Sequence, residues 1–278
     1  LIPRRAVLAA GVVLTARVRA SERDQVVTWQ TGEAGRTDPF VSWVTEVMRA
    51  RHGILLRRAA PNEAADLTTT DGPTGVVWRQ TQFCWLHTGA PAPVDIAAWV
   101  AWAARNPGRS THAPVTTPQG MAFFAQALHE LAPDPALLRG PILYDAPLDA
   151  LAIWYARLRP LLWRGGATLP FPGAPTWSLL HRREIDMAAT CHAGEAIFGR
   201  AQQALPDDAQ CSGLTHGAIL RRQCAVFASR PAERVARFLG SAQAQAHAQS
   251  LAGPATLISP ALPPLHPAWI QALAGAYP

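Results

Sequence analysis

The sequence contains no lysine. All 25 basic residues are arginine, which beside the abundant alanine and proline suggests a GC-rich coding sequence, and no basic stripe with interleaved aromatics accompanies them, so a nucleic-acid partner is not expected. Cysteine is scarce, and Cys84, Cys191, Cys211 and Cys224 show no C-x-x-C spacing and match no zinc pattern. The G-x-S-x-G, H-E-x-x-H, P-loop and G-x-G-x-x-G signatures are all missing, so no cofactor is implied and no common enzyme class announces itself. The apolar run near the front, Ala6 to Ala16, spans eleven residues, whereas a bilayer core needs roughly 20.

What is present is enough for a fold. A chain of 278 residues that is 49% hydrophobic buries a sizeable core as one large domain or two lobes. Arg4 and Arg5, the apolar run, and Arg17-Val18-Arg19-Ala20 read as an export signal over residues 1–20, twin-arginine-like and cleaved after Ala20; a short amphipathic helix is the other reading. That segment holds four of the 25 arginines and no acid, so the remainder carries 21 basic against 19 acidic residues and the net charge falls from +6 to +2. In an exported protein a disulfide is expected to form most readily between Cys191 and Cys211 across a short loop, although spacing alone fixes no connectivity.

Val26 to Trp29 reads as a first buried strand. Asp38 caps a helix with Pro39 in its first turn, Phe40, Trp43, Val44 and Val47 on one face, and Gly53 at its end; Ile54 to Leu56 then make a second strand, so a β-α-β unit and a parallel sheet are expected. Residues 59 to 75 read as loop, and Val76 to Leu86 as one long extended segment. Asp95 caps a helix with Ile96, Trp99, Val100 and Ala103 inward and Trp102 partly exposed, stopped by Asn106-Pro107-Gly108. Ser110 to Ala113 form a short strand, and Thr117-Pro118-Gln119-Gly120 opens a helix burying Met121, Phe124, Leu128 and Leu131. Further helices are expected from Asp145, near Pro175 to Arg183, over Gly194 to Leu205, and near Pro231 to Leu239 and Ala242 to Leu251, with a strand over Ile185 to Thr190 and a Pro-rich end.

Several of these segments together resemble the YnjB-like solute-binding proteins of ABC transporters. Val77-Trp78-Arg79 and Thr81-Gln82-Phe83 stand where that family carries Pro-Trp-Gly and Ala-Gln-Phe; Ala103 to Thr111 matches an Ala-rich helix ending in Asn-Pro-Gly-Arg; Gly120 with Phe123-Phe124, Leu162 to Gly165, and Arg183 to Ala188 follow in order. The family's Val-Asp-Leu-Ile-Trp-Ile-Asn-Gly segment is absent between Asp66 and Thr68, and its return segment reads Gly213-Leu214-Thr215-His216-Gly217 here. The resemblance implies a two-lobed, type II periplasmic-binding-protein α/β fold with a reduced first lobe. Residues 26–80 plus 220–278 would form lobe one and 88–206 lobe two, with 76–87 and 207–226 as the hinge. It also implies a monomeric periplasmic protein, not an enzyme, that delivers a small polar solute, thiamine-like, polyamine or metal complex, to an ABC permease in the membrane.

The residues suggest where such a solute would bind. Thr117, Gln119 and Gly120 offer a helix N-terminus to an anionic group, with ordinary capping as the alternative. Trp29 and Trp78 offer stacking faces, Arg164 an anion partner, and Thr190 and His192 end a strand where open α/β sheets bind ligands. Gln82 and His216 are carried over from the resemblance. Three rival classes remain: a hydrolase using Cys191, His192 and Glu195; metal capture by His181, His192 and His216; and a degenerate paralogue with a structural or interaction role.

Overall fold

The computed structural model describes residues 25–30, 39–60, 63–71, 74–89, 91–191, 194–252 and 261–277; the expected export signal and its cleavage site lie outside them. In chain order the elements are β1 (Gln25–Gln30), α1 (Pro39–His52), β2 (Ile54–Arg58), β3 (Leu67–Asp71), β4 (Val76–Gln82), β5 (Cys84–His87), α2 (Ala97–Arg105), β6 (Ser110–Thr111), α3 (Pro118–Leu131) and α4 (Asp145–Leu158). They continue with α5 (Ala174–His181), β7 (Met187–Thr190), α6 (Glu195–Ala201), β8 (Gln210–Ser212), β9 (Ala218–Phe227), α7 (Arg230–Leu239), α8 (Ala242–Ala252), β10 (Ala261–Leu262) and α9 (Pro267–Ala276).

The strands make two sheets. The first runs β10-β9-β3-β1-β2, with β4 against β9; the second runs β6-β7-β5-β8. β1 is parallel to both β2 and β3, and β9 is antiparallel to both β3 and β4. In the second sheet β6 and β7 are parallel, while β5 runs against β7 and β8. The chain crosses from the first sheet to the second through Phe83 alone, because β4 ends at Gln82 and β5 begins at Cys84, and it returns through residues 213–217 between β8 and β9. The extended segment expected over Val76 to Leu86 is therefore two strands in two sheets.

The β-α-β unit forms as its sequence dictates. Gly53 takes φ +61° and ends α1, whose inner face is Phe40, Val44 and Met48, at i, i+4 and i+8; the expected Val47 is only half-buried. Residues 59 to 75, expected as loop, contain β3. Its Thr-rich stretch has no alternating pattern, and what holds it is tertiary: the Asp66 carboxylate accepts from the N–H and hydroxyl of Thr28 at 2.9 and 2.8 Å, fixing β3 beside β1. Trp102 is buried rather than partly exposed, its indole N–H donating to the Pro91 carbonyl at 3.1 Å. The Pro-rich end contains α9, which starts with Pro267 in its first turn under a His266 cap. Trp269 and Leu273 of α9 join the core around α2, α3 and α4, so this part of residues 220–278 packs with the second sheet and not with the first.

Helices α1, α7 and α8 cover one face of the first sheet, enclosing Val27, Trp29, Ile54, Leu67, Trp78, Val235 and Leu239. The second sheet is covered on both faces. Trp85, Trp99, Phe123, Phe124 and Trp154 pack on one side, and Leu86, Leu179, Leu180, Ile185 and Leu205 on the other. All four cysteines carry thiols, so the expected Cys191–Cys211 disulfide is not formed.

Candidate functional site

The second sheet's edge nearest the crossings is built from strand ends. β6 and β7 are parallel, so Thr111 and Thr190 finish at the same edge, and β5, running the other way, pairs Cys84 with Thr190 there. Gln82 ends the crossing strand two residues earlier. It is fully buried, yet neither its amide nitrogen nor its carbonyl oxygen has a partner among the described residues, and the Thr81 hydroxyl beside it is also unpartnered. A buried polar group left so costs about 1–3 kcal/mol, and such exceptions call for a reason.

His112 fixes the turn from this edge into α3. Its Nδ1 lies 2.8 Å from the Ala113 carbonyl, which can only accept, so Nδ1 carries the proton and Nε2 accepts from the Tyr155 hydroxyl at 3.1 Å. Burial lowers the His112 pKa to about 4, keeping the ring neutral at pH 7, and burial pushes Tyr155 up to about 12. The ring stacks on Phe123 with centroids 4.3 Å apart.

The start of α3 is more closed than its sequence suggests. Thr117 Oγ1 accepts from Gly120 N–H at 3.1 Å and donates to the Pro114 carbonyl at 2.7 Å, while Met121 N–H bonds the Thr117 carbonyl. Pro118 has no N–H, so the first turn keeps one donor without a partner among the described residues, the N–H of half-buried Gln119. Gly120 does not open a path for a ligand: a Cβ there would stand 1.9 Å from the Pro114 carbonyl oxygen, so glycine is required for the helix to lie against its own leading turn. The ordinary cap accounts for Thr117 and Gly120.

Other expected site residues lie apart. Trp29 and Trp78 sit in the covered face of the first sheet, edge-on to each other at 5.8 Å, with Phe40 stacked on Trp78 at 5.9 Å; protein occupies the surfaces expected to stack on a ligand. Arg164 is exposed, with φ +53° and its guanidinium 4.3 Å over Trp163. It follows Leu161, whose carbonyl bonds Gly108 ahead of β6, so it stands at the far end of that strand from Thr117. His216 is exposed in the return segment, its Nδ1 2.9 Å from Thr215 Oγ1, close to Glu130 near the end of α3, about 20 Å along the helix from Thr117. His192 lies outside the described residues. Gln82 and Thr190 are thus the expected residues that share the edge, with Gln119 on the helix that leaves it.

Thr190 is engaged as well: its hydroxyl donates to Glu195, which also accepts from the Trp177 indole N–H. Burial raises the Glu195 pKa against the pull of these two donors. Sequence reasoning passed over Gln126 and Glu130 in α3. Gln126 donates to Glu130 at 2.6 Å and to the Gly217 carbonyl at 3.1 Å and accepts from Ile219 N–H at 2.7 Å, while Glu130 accepts from Ile96 N–H at 2.7 Å. They anchor the return crossing to α3; the available signal was a Gln/Glu pair four residues apart within a mostly apolar helix. Among the described residues no cluster of three or more His, Cys, Asp or Glu could hold a metal ion.

No protein-family model matches the sequence, and no curated protein matches it. Solved structures do. A periplasmic thiamin binding protein superposes with a TM-score of 0.63 at 12% identity, covering 94% of this chain and 89% of the other. The fold is that of the two-lobed, type II periplasmic binding proteins. Other examples of this binding-protein fold are an ABC-transporter solute-binding protein from Thermotoga lettingae bound with α-D-tagatose (TM-score 0.59, 10% identity, 90% and 83% covered) and iron-bound HitA from Pseudomonas aeruginosa (0.57, 11%, 86% and 90%). At such identities the likeness establishes the binding-protein fold, and the ligands named belong to those proteins.

Proposed function

We propose that this chain is the extracytoplasmic solute-binding component of an ABC importer: a periplasmic monomer that captures a small polar solute between two lobes and presents it to a membrane permease. The observation that carries the reading is the pair of sheets between which the chain passes at Phe83, residues 213–217 and the C-terminal segment, in the architecture shared with the thiamin, tagatose and iron-bound proteins. Short crossings let two rigid halves rotate, and a solute that makes contacts only in the closed form shifts the balance toward it. Capture, not catalysis, is the role assigned. The lobes correspond to the two sheets with their helices, and the hinge to the crossings at 76–87 and 207–226. Gln82 is the solute contact in this reading, because its amide can both donate and accept; Gln119 N–H adds a donor.

Thiamine, its phosphates, polyamines and ferric salts are the solutes to try. At 100 times its dissociation constant a ligand adds about 2.7 kcal/mol, a rise in melting temperature of roughly 5–10 °C for a chain of this size. Gln82→Leu should leave the solute-free melting temperature equal or higher, since it removes an unpartnered buried amide, while cutting the solute-induced shift to less than half. A well-folded protein that shifts with none of these solutes, together with association that grows with concentration, would favour the interaction role instead. The exposed Val26, Leu55, Val77 and Val226 of the first sheet support that second reading.

A further inference from the structure

Three of the four cysteines meet at one corner of the second sheet. β5 pairs with β8 through Trp85–Ser212, Leu86–Cys211 and His87–Gln210. Cys84 lies two residues from Leu86 on the same face, so it stands diagonally across from Cys211, and the two thiols are close enough to interact electrostatically. On its other side Cys84 pairs with Thr190, which brings Cys191 to the same corner. Cys84 is fully buried and Cys211 half-buried. Their places in the chain give the contact its meaning: Cys84 follows the outward crossing, and Cys211 leads into the return crossing.

We propose that Cys84 and Cys211 form a dithiol site, converted to a disulfide by exchange with a small oxidised disulfide, which ties together the second-sheet ends of both crossings. Cys211, the more accessible sulfur, loses its proton to solvent and attacks one sulfur of the oxidant, expelling a thiolate and leaving a mixed disulfide. Cys84 then gives up its proton and attacks Sγ of Cys211, expelling the second thiolate. Two cysteine thiols are oxidised by two electrons, and the oxidant leaves as two thiols. The interaction with Cys211, together with burial, holds the Cys84 thiol well above its usual range, so the second attack is the slow step.

The sequence makes the test direct, because trypsin leaves the four cysteines on separate peptides: 80–105 with Cys84, 184–200 with Cys191, 201–221 with Cys211 and 223–234 with Cys224, the Arg230–Pro231 bond being resistant. The folded protein is incubated with oxidised glutathione, alkylated, digested and mapped by mass. The expected product is peptide 80–105 joined to 201–221, released by reductant, formed equally by Cys191→Ser, and accompanied by a melting temperature raised by roughly 5–15 °C. Cys84→Ser should stop at a glutathione adduct on Cys211; if that variant fails to fold, the wild-type and Cys191→Ser maps decide. Four unmodified thiols, a lasting glutathione adduct on Cys211 of the wild-type protein, or a link to peptide 184–200 would each overturn the proposal.

Discussion

The two sheets bury apolar residues in different ways. The second sheet is sandwiched, and its wider face carries an aromatic cluster in which Trp85, Phe123 and Trp154 surround Trp99 at centroid separations that include 4.8 Å to Trp85 and 5.3 Å to Phe123, with Phe83 packed on Trp85. The first sheet has helices on one face only among the described residues. Register places Val26, Leu55, Val226 and Val77 together on its other face, and they are 51%, 37%, 38% and 41% exposed. Identical residue types therefore contribute differently: a valine on the outer face loses little on truncation, whereas each ring in the sandwich loses both its contacts and the space it fills. The stability of the whole chain should accordingly be set by the second sheet.

The sharpest way to break that comparison is at Gly120. Gly120→Ala places a methyl 1.9 Å from a backbone oxygen that cannot yield, and a loss on the order of 4 kcal/mol is expected in urea denaturation; a loss below 1 would mean that α3 is not clamped to its leading turn. Trp99→Ala should cost roughly 3–5 kcal/mol by the same measurement.

A third test uses pH. His112 has an unfolded pKa near 6.5 and a folded one of about 4, so the unfolded chain binds the extra proton in that window and stability falls as pH drops from about 6.5 to 4. Between pH 7.5 and 4.5 this amounts to about 2.5 kcal/mol. The raised carboxyls of Glu130 and Glu195 act the other way, because they keep their protons in the folded state to higher pH. The His112→Asn variant isolates the effect: its stability should vary less with acidification than the wild type by about that amount, and parallel curves would remove His112 from the account. The smallest effect is expected on the open face, where Val26→Thr with Leu55→Thr should change stability by about 0.5 kcal/mol or less.

What was legible in the sequence follows from the same contrast. The β-α-β unit, α3 with its Thr117 cap, and the inward stripe of α2 are local: a cap, a proline in the first turn and a 3.6-residue period announce them. β3 is held by Asp66 and by strands on both sides, so its run of threonines carries no period, and the break at Phe83 is a change of partner that extended sequence does not mark. α9 was hidden because proline-rich flanks read as a loop, although Pro267 in its first turn followed by Trp269 and Leu273 is a helix pattern. Of the proposed site, Gln82 came from the resemblance and Thr190 from strand-end reasoning. Trp29, Trp78, Arg164 and His216 have residue types that suit a ligand, but residue type does not reveal which end or face of a sheet they occupy. His112 was passed over for the converse reason, since a single buried histidine is recognised only once Tyr155 and Ala113 are seen beside it.

The central claim, that two rigid halves close over a captured solute through short crossings, is tested most directly by small-angle X-ray scattering with and without the solute that gives the largest thermal shift. The account predicts a smaller radius of gyration on saturation with the secondary structure unchanged. A saturated protein whose radius is the same as that of the solute-free one would contradict it.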